Sequence, residues 1–230
     1  MIMLKLTKKS LKIKVSDNIG SVSAIYYSPA KAKQILVFAH GAGVGMKSKF
    51  MEQVSISLAE LGIASLRFNF PYMEKGKRMP DTKPVCTATV KAAVDKASKL
   101  SPKLPIFAGG KSFGGRMTST TASEGMIPHV KGIIFFGFPL HAPGKPSNDR
   151  AEHLYKVEIP MLFLQGSRDA LASLDMLKPV IKKIEGKAGL FVLEGGDHSF
   201  HCSKEYGIKD SEAIKMLCDE VKRWMDNFIR

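Results

Sequence analysis

From Pro105 to Arg116 the chain reads Pro-Ile-Phe-Ala-Gly-Gly-Lys-Ser-Phe-Gly-Gly-Arg, a stretch that few backbones can accommodate. It opens with an apolar run suited to a buried strand and closes in a turn that only small residues can make. Gly110, Ser112 and Gly114 satisfy G-x-S-x-G, the pattern of a nucleophile elbow. A serine placed there sits on a strained strand-to-helix turn, with its Oγ clear of the sheet. Side chains two residues before and after it would collide, so both positions are glycine. A helix beginning near Phe113 aims its unpaired N–H groups and positive dipole end at the serine. Alone the pattern is weak, since Gly and Ser are common in loops. The preceding strand and following helix supply the context it requires.

The rest of the chain alternates strand and helix patterns. Residues 3–15 and 21–27 alternate apolar and polar side chains around the turn signal Asp17-Asn-Ile-Gly20, which predicts an antiparallel lead-in. Residues 35–39 are continuously apolar, as in a strand buried on both faces. A helix carrying Met51, Val54, Leu58 and Leu61 on one side follows, ended by Gly62. Further strands are expected over 63–70, 130–136, 160–165 and 190–193. Further helices are expected over about 85–100, 170–185 and 210–229, with Pro-rich loops at 71–84 and 137–146. Met and Trp224 in the last helix read as core. With neither repeat nor linker, this order predicts one domain over 1–230. Its class is α/β, a mostly parallel central sheet of about seven to eight strands with helices on both faces.

Composition narrows the function classes. The chain of 230 residues is long enough for one sizeable core. No apolar run reaches the ~18 residues of a membrane helix, so no membrane association is expected. Met1–Val15 mixes Lys with isolated apolar residues, unlike a secretory signal. Cys86, Cys202 and Cys218 are odd in number and widely spaced, which predicts a reducing, cytoplasmic location. The net charge of +14 raises nucleic acid as a partner. The lysines are dispersed over strands and helices, without an Arg-rich block or interleaved aromatics, so no specific nucleic-acid partner is expected.

In an open parallel sheet, ligands sit beyond the carboxyl ends of the strands. Asp169 follows one such strand and His198 follows the last, giving the chain order Ser112, Asp169, His198 that accompanies this elbow. His198 would take the Ser112 proton, and Asp169 would hold the second ring nitrogen and stabilise the imidazolium. His201 is the nearest rival base; Asp197 is too close in sequence to reach the ring, and Asp175 reads as a helix residue. Donors for a developing oxyanion are expected from the backbone of Phe113 and of Ala42, with Gly43 as the alternative to Ala42. Two other motifs fail by spacing. A P-loop needs glycine where Pro105 stands, and a dinucleotide fingerprint needs one at Met46. No catalytic metal and no cofactor are expected.

The segments His40-Gly-Ala-Gly43, Arg67-Phe-Asn-Phe-Pro-Tyr72, Gly109-Gly-Lys-Ser-Phe-Gly-Gly-Arg116, Gly137-Phe-Pro-Leu-His141, Gln165-Gly-Ser-Arg-Asp169 and Gly195-Gly-Asp-His198 together resemble the α/β-hydrolase superfamily. More narrowly they resemble its small, lid-less, dienelactone-hydrolase-like branch, from about residue 20 to the end. The resemblance implies an α/β-hydrolase fold without a large lid and a Ser–His–Asp triad. Dienelactone hydrolases use a cysteine nucleophile where this chain has Ser112, so their substrate does not transfer. Some eukaryotic relatives act as scaffolds, which leaves a non-catalytic interaction module as the alternative to a serine hydrolase of esters or thioesters. The interval between Phe136 and Pro160 is short and polar. It predicts an open site for small, soluble acyl substrates, with Tyr72, Phe138 and Leu140 lining an apolar pocket. Lys75, Lys77, Arg78 and Lys83 would lie at its rim. The oligomeric state is not legible.

Overall fold

The apolar run 35–39 belongs to a strand, Gln34–Ala39, whose side chains are divided between two helical layers. Leu36 and Phe38 pack with Met51, Val54, Leu217 and Val221, whereas Ile35, Val37 and Ala39 pack with Val90, Ala93 and Val94. With both faces covered, no position in this strand is left for a polar side chain to reach water.

The computed structural model describes residues 6–184 and 186–228. Its strands are β1 (Leu6–Ser16), β2 (Gly20–Pro29), β3 (Gln34–Ala39), β4 (Ile63–Phe68), β5 (Ile106–Lys111), β6 (Ile133–Phe136), β7 (Met161–Gly166) and β8 (Ala188–Leu193). They form one sheet in the order β1-β2-β4-β3-β5-β6-β7-β8. The β1–β2 and β2–β4 pairs are antiparallel, and every later pair is parallel. The helices are α1 (Lys49–Glu60), α2 (Pro71–Glu74), α3 (Lys83–Leu100), α4 (Phe113–Ser123), α5 (Leu174–Lys183) and α6 (Asp210–Asp226). Residues of α1 and α6 cover one face; residues of α3, α4 and α5 enter the clusters on the other. This is the mostly parallel α/β architecture expected, with eight strands. Residues 3–5, Glu185 and residue 229 of the expected elements lie outside the described residues.

Local chemistry explains the boundaries. Ser48 caps α1 by accepting a hydrogen bond from the Met51 N–H at 3.5 Å, and Gly62 ends it at φ +80°. The expected strand 63–70 stops at Phe68, because the Phe70 N–H donates to the His40 ring at 3.0 Å and leaves the ladder. The expected loop 71–84 and the interval between β6 and β7 each contain a short helical piece. Pro71 starts α2 at a position where its missing N–H costs nothing. Between β6 and β7, Asp149–Lys156 forms a 3-10 segment that buries Ala151 and Leu154, with His153 Nε2 2.7 Å from Ser119 Oγ on α4. It is packed on the fold, and no larger insertion separates those strands. Among the described residues, no helix is long and apolar enough to cross a membrane.

Candidate active site

β3 lies between β4 and β5, so the chain leaves it toward one side and later returns on the other. A crevice therefore opens between the carboxyl ends of β3 and β5, where open parallel sheets take ligands. Ala39 pairs with Gly110 at that end, so the segments beginning at His40 and Lys111 are brought together by register alone.

Ser112 follows β5 at φ +50°, ψ −115°, and α4 starts at the next residue. Phe200 is the other non-glycine at positive φ among the described residues. Such a backbone costs about 1–3 kcal/mol and persists only where its surroundings enforce it. Here the enforcement is visible. A Cβ on Gly110 would lie 2.6 Å from the Ala39 oxygen, and one on Gly114 2.5 Å from the Ala39 and His40 oxygens. The elbow is pressed against the end of β3 with no room for a methyl group.

The β7 and β8 exits bring the remaining groups. Ser112 Oγ lies 2.8 Å from His198 Nε2, and His198 Nδ1 lies 2.7 Å from Asp169 Oδ2. Asp169 is 2% exposed, and its other oxygen accepts the Leu171 N–H at 2.8 Å. Gln165, fully buried at the end of β7, donates to Asp169 Oδ2 at 2.5 Å and accepts the Phe138 N–H at 3.2 Å. With its carboxylate so surrounded, Asp169 faces His198 as an acceptor. The ring proton then sits on Nδ1, and Nε2 is free to accept from the serine hydroxyl. His201, the rival base, instead contacts Asp210 at 2.8 Å, and Asp197 accepts the Ser199 and His201 N–H groups.

The loop after β3 is pinned at both ends. His40 Nδ1 donates to the Gly41 oxygen at 2.8 Å while Nε2 accepts from Phe70. Only the neutral ring does both, and burial holds its pKa down to about 4. Farther along, Arg67 donates to the Met46 oxygen at 3.1 Å and Asn69 accepts the Met46 N–H at 2.9 Å. The segment 67–72 thus acts as a brace for residues 40–46, a role its sequence did not reveal. Ala42 lies in this braced loop beside Ser112, and Phe113 opens α4, where the first N–H groups have no helical acceptor.

A pocket of about 420 Å³ opens over the serine, bounded by Gly41, Ala42, Val44, Phe50, Met51 and Leu171, with Lys111, Ser112 and His198 in its wall. The expected lining residues Tyr72, Phe138 and Leu140 are elsewhere. All three have no exposed surface. Tyr72 backs His40 with ring centroids 5.8 Å apart, and Phe138 and Leu140 join the core beneath β6 and β7. Their loops turn inward because each apolar side chain finds a neighbour there: Phe138 meets Phe135 and Phe163. The apolar wall comes from Val44, the first turn of α1 and Leu171. Lys75, Lys77, Arg78 and Lys83 are exposed and none bounds the pocket; Lys83 pairs with Glu124. Lys111 was missed as well. Its neighbour Ser112 draws attention in the sequence, whereas its own partner lies 87 residues away.

A second groove, about 380 Å³ between β1 and α3, contains Lys12, Lys14, Lys91, Lys96 and Lys99 but none of these site residues. Lys12, Lys14 and Lys91 are already paired with Glu74, Asp17 and Asp95. Among the described residues, no group of three or more His, Cys, Asp or Glu side chains converges as metal ligands.

Known proteins share this architecture. Dienelactone hydrolase from Anabaena variabilis superposes with a TM-score of 0.79 at 17% identity, covering 98% of this chain and 99% of its own. Est1E from Butyrivibrio proteoclasticus gives 0.72 at 17% identity, with 96% and 98% covered. A lid-less α/β serine hydrolase from Xanthomonas campestris gives 0.69 at 19% identity, with 94% of each chain covered. At these identities the likeness establishes the fold. A family model described as alpha/beta hydrolase domain matches residues 32–226, which takes in β3 to α6 with the elbow, Asp169 and His198. On that match, the chain belongs to the α/β-hydrolase domain family.

Proposed function

We propose that the protein is a serine hydrolase that cleaves carboxylic esters or thioesters of small, soluble acyl substrates through an acyl-enzyme at Ser112. The observation that carries this reading is the unbroken hydrogen-bond chain from Ser112 through His198 to Asp169, opening onto an apolar pocket.

Each residue has one task. As Ser112 Oγ attacks the acyl carbon, its proton passes to His198 Nε2. Asp169 stabilises the imidazolium through Nδ1 without taking its proton. The carbonyl oxygen gains negative charge and is received by the N–H groups of Ala42 and Phe113. His198 then returns the proton to the leaving oxygen or sulfur, and the alcohol or thiol departs. Water, deprotonated by His198 in turn, attacks the acyl-serine and releases the acid. Val44, Phe50, Met51 and Leu171 take the non-reacting part of the substrate. Val44 is 42% exposed, which fits a site open to soluble molecules. The acyl substrate is the partner this reading requires.

The test is labelling with a fluorophosphonate, read by intact mass and peptide mapping, followed by assays on short acyl esters and thioesters. Modification at Ser112 that disappears in His198→Ala is expected. A folded protein that stays unmodified would overturn the reading and favour a non-catalytic module on this scaffold.

A further inference from the structure

We propose that Lys111 is a positioning residue: its ammonium clamps the backbone of the His198 segment, so the residue beside the nucleophile also holds the base in place. This rests on the hydrolase reading above.

Lys111 ends β5, and its side chain runs from the elbow toward the β8 exit. Its Nζ donates to the His198 carbonyl oxygen at 2.5 Å. It lies 5.3 Å from the Phe200 ring centroid and 6.0 Å from that of Phe50. A Cβ on Gly137 would come 3.2 Å from Nζ and 3.4 Å from His198 Nδ1. The ammonium and the imidazole therefore pack side by side against the same bare stretch of backbone. Among the described residues, that carbonyl is the only hydrogen-bond partner of Nζ, and no carboxylate pairs with it.

A half-buried ammonium with one acceptor and no carboxylate in contact is an expensive way to fill space. A methionine would occupy the same volume without that cost. What methionine lacks is a charged donor to the His198 carbonyl, and such bonds are shorter and stronger than neutral ones. The aromatic rings offer their faces to the same charge. One side chain thus links the β5 exit, which carries the nucleophile, to the β8 exit, which carries the base.

Burial lowers the Lys111 pKa to about 8, against the opposing charges of Asp169 and Asp197. The groups that face it are Asp169 from the β7 exit, Asp197 and His198 from the β8 exit, and Ser112 from its own turn. Phe50, Phe200 and Gly137 add no charge. Below pH about 8 the clamp is charged; above it a neutral amine holds the carbonyl more weakly.

The experiment measures the rate of fluorophosphonate labelling of Ser112 from pH 6 to 10 in the wild type, Lys111→Met and Lys111→Gln. The wild-type rate is expected to fall as pH passes about 8. At pH 7 the variants should label about 10–100-fold more slowly, and their profiles should lack that fall. A loss of packing alone would slow labelling and leave the alkaline limb in place. A flat wild-type profile, or variants with the wild-type rate and limb, overturns the proposal. Should the folded wild type not label, the hydrolase reading fails. The clamp is then judged separately from the low-field proton resonance of His198 Nδ1. Its shift or broadening in Lys111→Met supports the clamp, and an unchanged line overturns it.

Discussion

Replacing Gly114 by alanine tests whether the elbow is held by contact with β3. The new Cβ would sit 2.5 Å from the Ala39 and His40 oxygens and 2.6 Å from the Ala39 carbonyl carbon. All are backbone atoms, so none can rotate away. Ordinary contact begins near 3.4 Å, so the elbow and the β3 exit must separate by about 0.9 Å. Overpacking of this kind costs about 1–3 kcal/mol, and each kcal/mol lowers the melting temperature of a domain this size by about 2–4 °C. The separation acts between Ser112 and the loop carrying Ala42, the two sides of the proposed reacting centre. A misplacement of about 1 Å there costs on the order of 100-fold in rate. Thermal melts and fluorophosphonate labelling, run in parallel, read the two effects. Gly189→Ala on β8 is the control, since its Cβ would meet nothing nearer than 3.6 Å. It should melt and label close to wild type. Gly114→Ala with an unchanged melting temperature and labelling rate would refute the argument.

Three further outcomes follow from the same geometry. Ser112→Gly removes the positive-φ strain at the proposed nucleophile, so it should raise stability by about 1 kcal/mol while abolishing labelling; a lower melting temperature would contradict this. Asp169→Asn presents an amide donor to Nδ1 and frees the wrong tautomer. The labelling rate should fall on the order of 10⁴-fold, as measured when the same exchange is made in a protease triad, with little change in the circular dichroism spectrum. His40 is neutral in the fold, with a pKa lowered by burial from 6.5 to about 4. The unfolded chain therefore binds the extra proton between those values, and stability falls as pH drops from 6.5 toward 4, by about 3 kcal/mol from this group. Urea titrations at pH 7, 5.5 and 4.5 measure the slope, and a flat dependence would exclude it.

The parts of the site that sequence could locate are those tied to strand ends. Ser112 follows its strand at once, Asp169 and His198 within a few residues of theirs, and a parallel sheet sends all such positions to one rim. The strand order was less legible, yet it is what sets Ala39 beside Gly110. The pocket wall escaped because an apolar residue in a loop carries no sign of whether it faces inward. Phe138 and Leu140 turned into the core, while Met51, which reads as an ordinary member of a helix stripe, and its neighbour Phe50 border the cavity. Arg67, Gln165 and Lys111 were missed for a related reason. Each works through a partner brought near by folding: Met46 for Arg67, Phe138 for Gln165, and His198 for Lys111.

The outer margin of the sheet has a consequence of its own. β1 is the first strand in the order, and Lys8, Lys9, Lys12 and Lys14 stand exposed along it. A free strand edge is a template for another chain, and adjacent strands sit about 4.8 Å apart. Two copies aligned edge to edge would bring four lysines from each into close file; Lys8, Lys12 and Lys14 engage Glu52, Glu74 and Asp17, which lowers the repulsion without removing it. That repulsion guards the margin, and it is a guard made of charge. Strong salt, which shortens the screening length to about 3 Å at 1 M, would take it away.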